Sequence, residues 1–513
     1  MVNPNQKKNK RSNKKNAVAR PISHQQEFSK QEGATGALLV HSLAICLGVL
    51  QFGFCMAELN ALQQVMSCTE FLGSGYDAEV PYDKTWLGKH GLEQCIPLDN
   101  TQIGIVTSIF SIGGLFGSYM ASALSSKYGR KKTALYTSLL NVIGSWILFV
   151  SNNYSSLVIG RIILGFGNGI ILVNNPLFIS EISPVQLKGL MGSMSQVSIN
   201  VGIFLTQFAA FFLSNPYKWR WILFIGFLLP VIDIALLLKL HESPKWLIMK
   251  HDITSAEVSL FALRKDNSGV KQEIKDIQQD LDASKLTTIF ESLEANSNYT
   301  ENSSGSPSLW SYATKKIYSK PRTAITMILM GQQFCGINSI IFYGVKIISS
   351  LSPNWSISIN IGISILNLVM TLGTSMVVDE KGRKPLLLLS TSLLSISALL
   401  ISVAITHGMI PLLIMSLFSY IASFAIGIGP IPFLIISELS NANDSAAAQS
   451  YGIVCNWVGT FIIGILFPVV HELIGGYVFT LFAVFAGCLA LFIQKKVPET
   501  KGQLNYSEMW ANY

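Results

Sequence analysis

Gln332, Gln333 and Asn338 stand in the stretch GQQFCGINSIIFYG, inside a hydrophobic run with no charged residue between Arg322 and Lys346. A carboxamide in hydrocarbon costs about 1–3 kcal/mol unless something pairs with it. Packing between helices is one source of partners, worth about 1 kcal/mol per bond. Gln196, Asn367 and Asn456, the last beside Trp457, extend the set to other hydrophobic runs. Each of these side chains both donates and accepts. Together they suit a neutral ligand studded with hydroxyls, and they offer an ionic ligand no fixed charge.

Spacing sets a condition on this reading. On a straight helix Asn338 would lie roughly 120–140° around the axis from Gln332 and Gln333, so one face could not carry all three. Gly336 lies between them and permits a break, which membranes tolerate where a helix lines a cavity. Gly427, Gly429, Pro430 and Pro432 offer a second such place. Both runs are therefore expected to be discontinuous and to act as moving gates. Phe342 and Tyr343 follow the carboxamides as candidates for an outer lid. Phe424 and Phe433 are candidates for stacking on the apolar face of a ring, with core packing the alternative for each aromatic.

The elements that position these residues are membrane spans. Half of the 513 residues are hydrophobic and 13% are charged, too greasy for an ordinary soluble surface. Twelve windows of about 20 residues are long enough to cross the bilayer: about 36–57, 101–123, 133–151, 157–179, 190–213, 219–239, 323–347, 357–378, 385–406, 411–437, 446–470 and 475–494. The expected fold is an all-α membrane protein whose partner is the lipid bilayer. Residues 1–35 read as a basic disordered tail without a signal peptide. Basic residues follow the second and eighth spans, whereas the segment between spans 1 and 2 is net acidic, so both termini are expected in the cytosol. The net charge of +8 is then a topology signal and calls for no nucleic acid. Cys68 and Cys95 share the non-cytosolic loop and are expected to form a disulfide. Asn354 is the sequon placed for glycosylation; those at Asn298 and Asn302 fall on the cytosolic side. No histidine or further cysteine near the pair has metal-ligand spacing, and no metal or cofactor is expected.

The chain is written twice. Gly129-Arg130-Lys131 returns as Gly382-Arg383-Lys384, LFISEIS ending at Ser183 returns as LIISELS ending at Ser440, and Glu242 returns as Glu499. The near-equal offsets define two six-span halves, residues 36–240 and 321–495, as in parallel transporter repeats with the ligand held between them. Between them, 241–320 reads as a cytosolic linker with two short amphipathic helices, one with capping-box spacing at Thr254 and Glu257. Residues 496–513 form a short tail. Arg130, Glu181, Glu242, Arg383, Glu438 and Glu499 all fall at cytosolic span ends. They are expected to form ion pairs that close the inner side and break when the halves separate, the alternative being charges that merely snorkel to water.

GRIILGFGNG (160–169), PLFISEISP (176–184), HESPKWL (241–247), GQQFCGIN (331–338), DEKGRKP (379–385), GPIPF (429–433) and VPETKG (497–502) together resemble the signature series of the sugar porter family in the major facilitator superfamily. The resemblance runs from about residue 40 to 505. ELNALQQVMSC and the closing YSEMWANY further resemble a fungal vacuolar-type hexose transporter-like branch. It implies a twelve-span transporter of a glucose-like hexose by alternating access, in a vacuolar membrane or, alternatively, the plasma membrane. It also implies that positions matching Gln196, Gln332, Gln333, Asn338, Asn367 and Asn456 hydrogen-bond the sugar. Ser126, Lys188 and Lys245 depart from the family pattern near the inner charges, and Ala425 and Phe433 depart near the sugar.

Proton-coupled relatives carry an aspartate in span 1 where this chain has Cys55, which favours uniport. Glu58, three residues on, is the candidate proton site for a symporter. A receptor that binds sugar without moving it is disfavoured by the short tail, in which Tyr506 and Met509 fit a tyrosine-based sorting signal. No nucleophile with a base, metal cluster or phosphate loop suggests an enzyme, and GFGNGI reads as glycine for close helix packing. A monomer is expected.

Overall fold

The computed structural model describes residues 35–68, 81–184, 187–264, 269–279, 281–282, 309–349, 352, 355–440, 444–501 and 509–510. Asn298, Asn302, Asn354 and Tyr506 lie outside them, as does the basic stretch 1–34. Among the described residues the secondary structure is helical throughout.

The first half comprises α1 (Gly36–Ala57), α2 (Asn100–Tyr128), α3 (Arg130–Phe149), α4 (Tyr154–Ile182), α5 (Lys188–Leu213) and α6 (Arg220–Leu237). The second comprises α7 (Ser319–Phe334), α8 (Ile337–Ser349), α9 (Ser356–Lys381), α10 (Arg383–Thr406), α11 (Ile410–Ile426), α12 (Ile431–Glu438), α13 (Ser445–Ile474) and α14 (Val478–Lys496). Ten described stretches are long and apolar enough to cross a membrane. One of them, Ala447–Lys496, holds both α13 and α14, and α3, which begins Arg-Lys-Lys, is the twelfth span. The expected discontinuities are present. The seventh span is α7 and α8, broken where Gly336 takes φ +95°, and the tenth is α11 and α12, broken between Gly427 and Pro430.

Local signals start the helices. Asp99 and Gln102 form a capping box on α2, and Asn153 and Thr35 cap α4 and α1. Small residues then set how closely they pack: a Cβ on Gly165 of α4 would lie 2.0 Å from Phe110 O of α2, and one on Gly169 2.2 Å from Gly114 O. The halves meet along two seams, α5 against α9 and α2 against α13.

The linker packs beneath the first half through Pro244–Met249, Ile253–Leu263 and a helix over 270–279. Leu247, Ile248, Ala256, Leu260, Val270 and Ile274 form its own small core. Its second helix is capped by Asp252, which accepts from Ser255 N, rather than by Thr254. That hydrogen bond holds the Asp252 carboxyl below its ordinary range. Cys488 faces outward on α14. Met509 and Trp510 are buried, with Trp510 Nε1 donating to Leu439 O, so the methionine of the sorting-type signal is covered.

Candidate functional site

At one end of the bundle, here the disulfide end, Cys68 and Cys95 are bonded with their Cα atoms 5.3 Å apart. At the other, the arginine end, lie both copies of the repeated charges.

The carboxamide network forms at the break between α7 and α8. Gln332 Nε2 donates to Ile428 O at 2.6 Å and Gly429 O at 3.2 Å, carbonyls left free where α11 unwinds. Gln332 Oε1 accepts from Asn456 Nδ2 of α13 at 2.8 Å and from Gln333 Nε2 at 3.2 Å. Asn338 Nδ2 reaches back to Gln333 Oε1 and to Thr460 Oγ1 at 3.1 Å. A continuous helix would turn Asn338 away. The +95° φ at Gly336, where a Cβ would strike the Phe482 ring at 2.2 Å, brings it round. Four of the six expected carboxamides thus share one network, and Thr460 joins it.

The other two are placed differently. Asn367 Nδ2 donates to Asn200 Oδ1 at 3.2 Å, and Asn200 Nδ2 to Thr371 Oγ1 at 2.7 Å, a separate cluster on the α5–α9 seam. Gln196 is half-buried on α5 without a hydrogen-bond partner among the described residues, one turn beyond Gly192, whose Cβ would lie 3.3 Å from Leu434 of α12. Asn200 and Thr371 were legible as polar residues four positions from Gln196 and Asn367 on the same helices. Phe424 packs its ring against Gly429 at the tenth-span break, and Phe433 is partly buried just beyond it.

Toward the disulfide end, Phe342 is fully buried, and a Cβ on Gly464 of α13 would lie 3.5 Å from its ring and 3.2 Å from Ser108 of α2. Gln63 Nε2, from the segment after α1, donates to Phe342 O at 2.8 Å, and Val345 N donates to Asn60 Oδ1 at 3.1 Å. Tyr343 OH donates to Gly464 O at 2.8 Å. Side chain and backbone of α8 therefore tie the two halves together at this end. Glu58 does not reach water: it is 2% exposed and pairs at 2.9 Å with Arg161 of α4, whose guanidinium lies over the Phe110 ring.

At the arginine end the expected gate residues pair within each half in this conformation. Arg130 grips Glu181 through Nε and Nη2 at 2.8 Å each, and Arg383 grips Glu438 in the same way at 3.0 and 2.8 Å. Glu242 accepts from the backbone N–H of Arg130 and Lys131, and Glu499 from Arg383 and Lys384. Ser243 Oγ donates to Glu181, and Thr500 Oγ1, 257 positions later, donates to Glu438. Every one of these bonds stays within its own half. Among the described residues none joins the two clusters. The physical reason is local: each glutamate after a sixth span caps the exposed N-terminus of a third-span helix, where orphan N–H groups and the helix dipole favour a carboxylate. The arginine at that N-terminus then meets the nearest acid, at the end of the next helix. In this conformation the groups staple three elements of one half.

Residues 41–510 match the sequence profile of the family described as Sugar (and other) transporter. A probable metabolite transport protein of Saccharomyces cerevisiae is 49% identical over 480 residues, covering 93% of this chain and 96% of the relative. The human solute carrier family 2, facilitated glucose transporter member 4 is 29% identical over 490 residues, covering 92% and 90%. The same fold occurs in the major facilitator superfamily proton:xylose symporter XylE bound to 6-bromo-6-deoxy-D-glucose, with a TM-score of 0.73 at 22% identity, covering 93% of this chain and all of that one. On its profile and its relatives, the chain belongs to the family described as Sugar (and other) transporter.

Proposed function

We propose that the protein moves a neutral, glucose-like hexose across a membrane by alternating access, as a facilitative uniporter. The observation that carries this is the uncharged network of Gln332, Gln333, Asn338 and Asn456 at a helix break, because every member can trade an internal hydrogen bond for one to a sugar hydroxyl. Gln196 and Asn367 supply the facing wall from the α5–α9 seam, and Phe424 and Phe433 offer apolar faces to the ring. Phe342 and Tyr343 act as the outer gate. The two arginine staples keep each half rigid as it rocks, so the inner opening is governed by α12 against α5. The basic arginine end faces the cytosol, with both chain termini, and Asn354 is the glycosylation site of the other face. The vacuolar membrane is favoured by the resemblance of the closing segment, the plasma membrane being the alternative.

Radiolabelled glucose counterflow in proteoliposomes tests this reading. Wild-type protein is expected to accumulate label and Gln332→Ala to lose most of it; no counterflow with any hexose or polyol would overturn transport in favour of a receptor. A second reading, proton-coupled symport, draws on the Glu58–Arg161 pair buried at membrane depth. Sugar uptake that drives no change of internal pH would remove it.

A further inference from the structure

Asp233 of α6 stands in the run LLPVIDIALLL and is 2% exposed. Four helices of the first half converge on it: α6 itself, Ser138 of α3, Asn175 of α4 and Gly48 of α1. The glycine makes the room, since a Cβ on Gly48 would lie 2.8 Å from Asn175 Nδ2 and 3.4 Å from Asp233 Oδ2. No cation pairs with Asp233 among the described residues, and its Oδ1 has no hydrogen-bond partner. A bare carboxylate in such a place would be an uncompensated buried charge, far costlier than a neutral acid.

Proton counting is compatible with that answer. Ser138 Oγ lies 2.6 Å from Asp233 Oδ2 and 2.9 Å from Ala134 O. A hydroxyl has one proton, and Ala134 O can only accept. When Ser138 donates to Ala134 O, the proton in the short contact must come from the Asp233 carboxyl. Both contacts are then satisfied, and Oδ1 is left as a neutral carbonyl oxygen.

The titratable groups on surrounding helices are committed elsewhere. On α1, His41 Nδ1 lies at hydrogen-bond distance from Ala37 O and its Nε2 accepts from His241 N, while the thiols of Cys46 and Cys55 are buried. Glu58 beyond α1 and Arg161 of α4 hold each other. On α3, Arg130 holds Glu181 of α4, Lys131 reaches Leu238 O, Lys132 is exposed and Tyr136 packs on Tyr128. On α5, 191–213 carries no titratable residue. Yet Asp233 is not isolated from the staple. Asn174 Nδ2 donates to Asn175 Oδ1 and to Arg130 O, and Asn174 Oδ1 accepts from Ser125 Oγ. Asn175 and Asn174 thus link the acid's pocket to the backbone carbonyl of Arg130.

We propose that Asp233 is a proton-binding site, held neutral in this conformation by Ser138 and its buried, cation-free surroundings, and able to release its proton to water when the arginine end of the first half rearranges. On release the proton leaves Oδ2, Ser138 turns its hydroxyl from Ala134 O to the carboxylate, and the half gains one negative charge. Raising the pH therefore depopulates the conformation seen here and slows transport.

Infrared difference spectroscopy of the full chain in lipid nanodiscs, titrated from acid to alkaline pH, reads the site directly. A protonated-carboxyl C=O band is expected at neutral pH, shifting in heavy water, absent in Asp233→Asn and moved in frequency in Ser138→Ala. An unchanged band in both variants, or none in the wild type, overturns the proposal. The Ser138→Ala arm keeps it falsifiable if the Asn variant fails to fold. The second arm rests on the sugar-transport reading: counterflow in the wild type should fall with rising pH, by up to about tenfold per unit once the site titrates, and in Asp233→Asn stay nearly flat. An equally steep profile in that variant overturns the link to transport. Loss of counterflow at every pH with the infrared band intact would instead overturn the function proposed above.

Discussion

The two halves carry the same arginine staple but bury it differently. Side chains of Arg130 and Glu181 are 6% and 4% exposed, those of Arg383 and Glu438 13% and 27%. The linker's first helices lie beside the first copy, while Thr500 after α14 and Tyr312, which meets Ser440, lie beside the second. The interiors diverge further. At the repeat offset of 257, Arg161 and Asp233 of the first half fall on Phe418 and Ala490 of the second. The first half thus buries ionisable groups within its packing, and the second spends its polar groups on carboxamides where helices break. One duplicated plan has diverged: the first half buries ionisable side chains, and the second gathers carboxamides where its helices break.

The sharpest way to break this comparison is to remove each arginine. Arg130→Ala leaves Glu181 buried and unpaired and should cost about 3–5 kcal/mol, seen as a large fall in the yield of folded protein and in Tm. Arg383→Ala, with its more exposed partner, should lose clearly less, and equal losses would make the difference in burial irrelevant. Next in size is the carboxamide contrast. Gln332→Ala removes bonds to Ile428 O and Asn456 and should lower counterflow about 30-fold, at roughly 1 kcal/mol for each of two bonds. Gln51→Ala in α1, whose amide bonds Gly226 O within the first half, should change it only a few-fold; a comparable loss would show that α1 also reads the sugar.

A smaller effect compares Ser243→Ala with Thr500→Ala. Each removes one hydroxyl from a staple and should cost about 1–2 kcal/mol, more at Ser243, in thermal melts of the purified protein. The smallest lies in the linker that only the first half carries. Its Asp252 cap has a lowered folded value, so its contribution is complete above the ordinary carboxyl range and is lost as pH falls through that lowered value. Protease cleavage in the linker should rise in that acid window in the wild type, and Asp252→Asn should flatten the response.

The twelve spans, the doubling and both helix breaks were legible because each leaves a linear trace: hydropathy, repeated motifs, and glycine or proline among apolar residues. Gln332, Gln333, Asn338 and Asn456 were legible as a set, since unpaired amides in hydrocarbon must find partners. The partition of Gln196 and Asn367 away from them was not, because it depends on which helix faces which. The partners of the staple were hidden for the same reason: sign and order in sequence do not say whether a bond closes within a repeat or across it. Asp233 was hidden by a window that tolerates one acid among leucines, and only the packing of four helices shows that it lacks a cation.

The staple also imposes an order on synthesis. The N–H groups that open α3 are capped by Glu242, which enters the chain only after the sixth span, and those of α10 wait for Glu499, after the twelfth. A ribosome therefore delivers a first half that can lock while the second is still being made. The second half remains uncapped through its whole insertion, and it is the part that membrane quality control would meet unfinished.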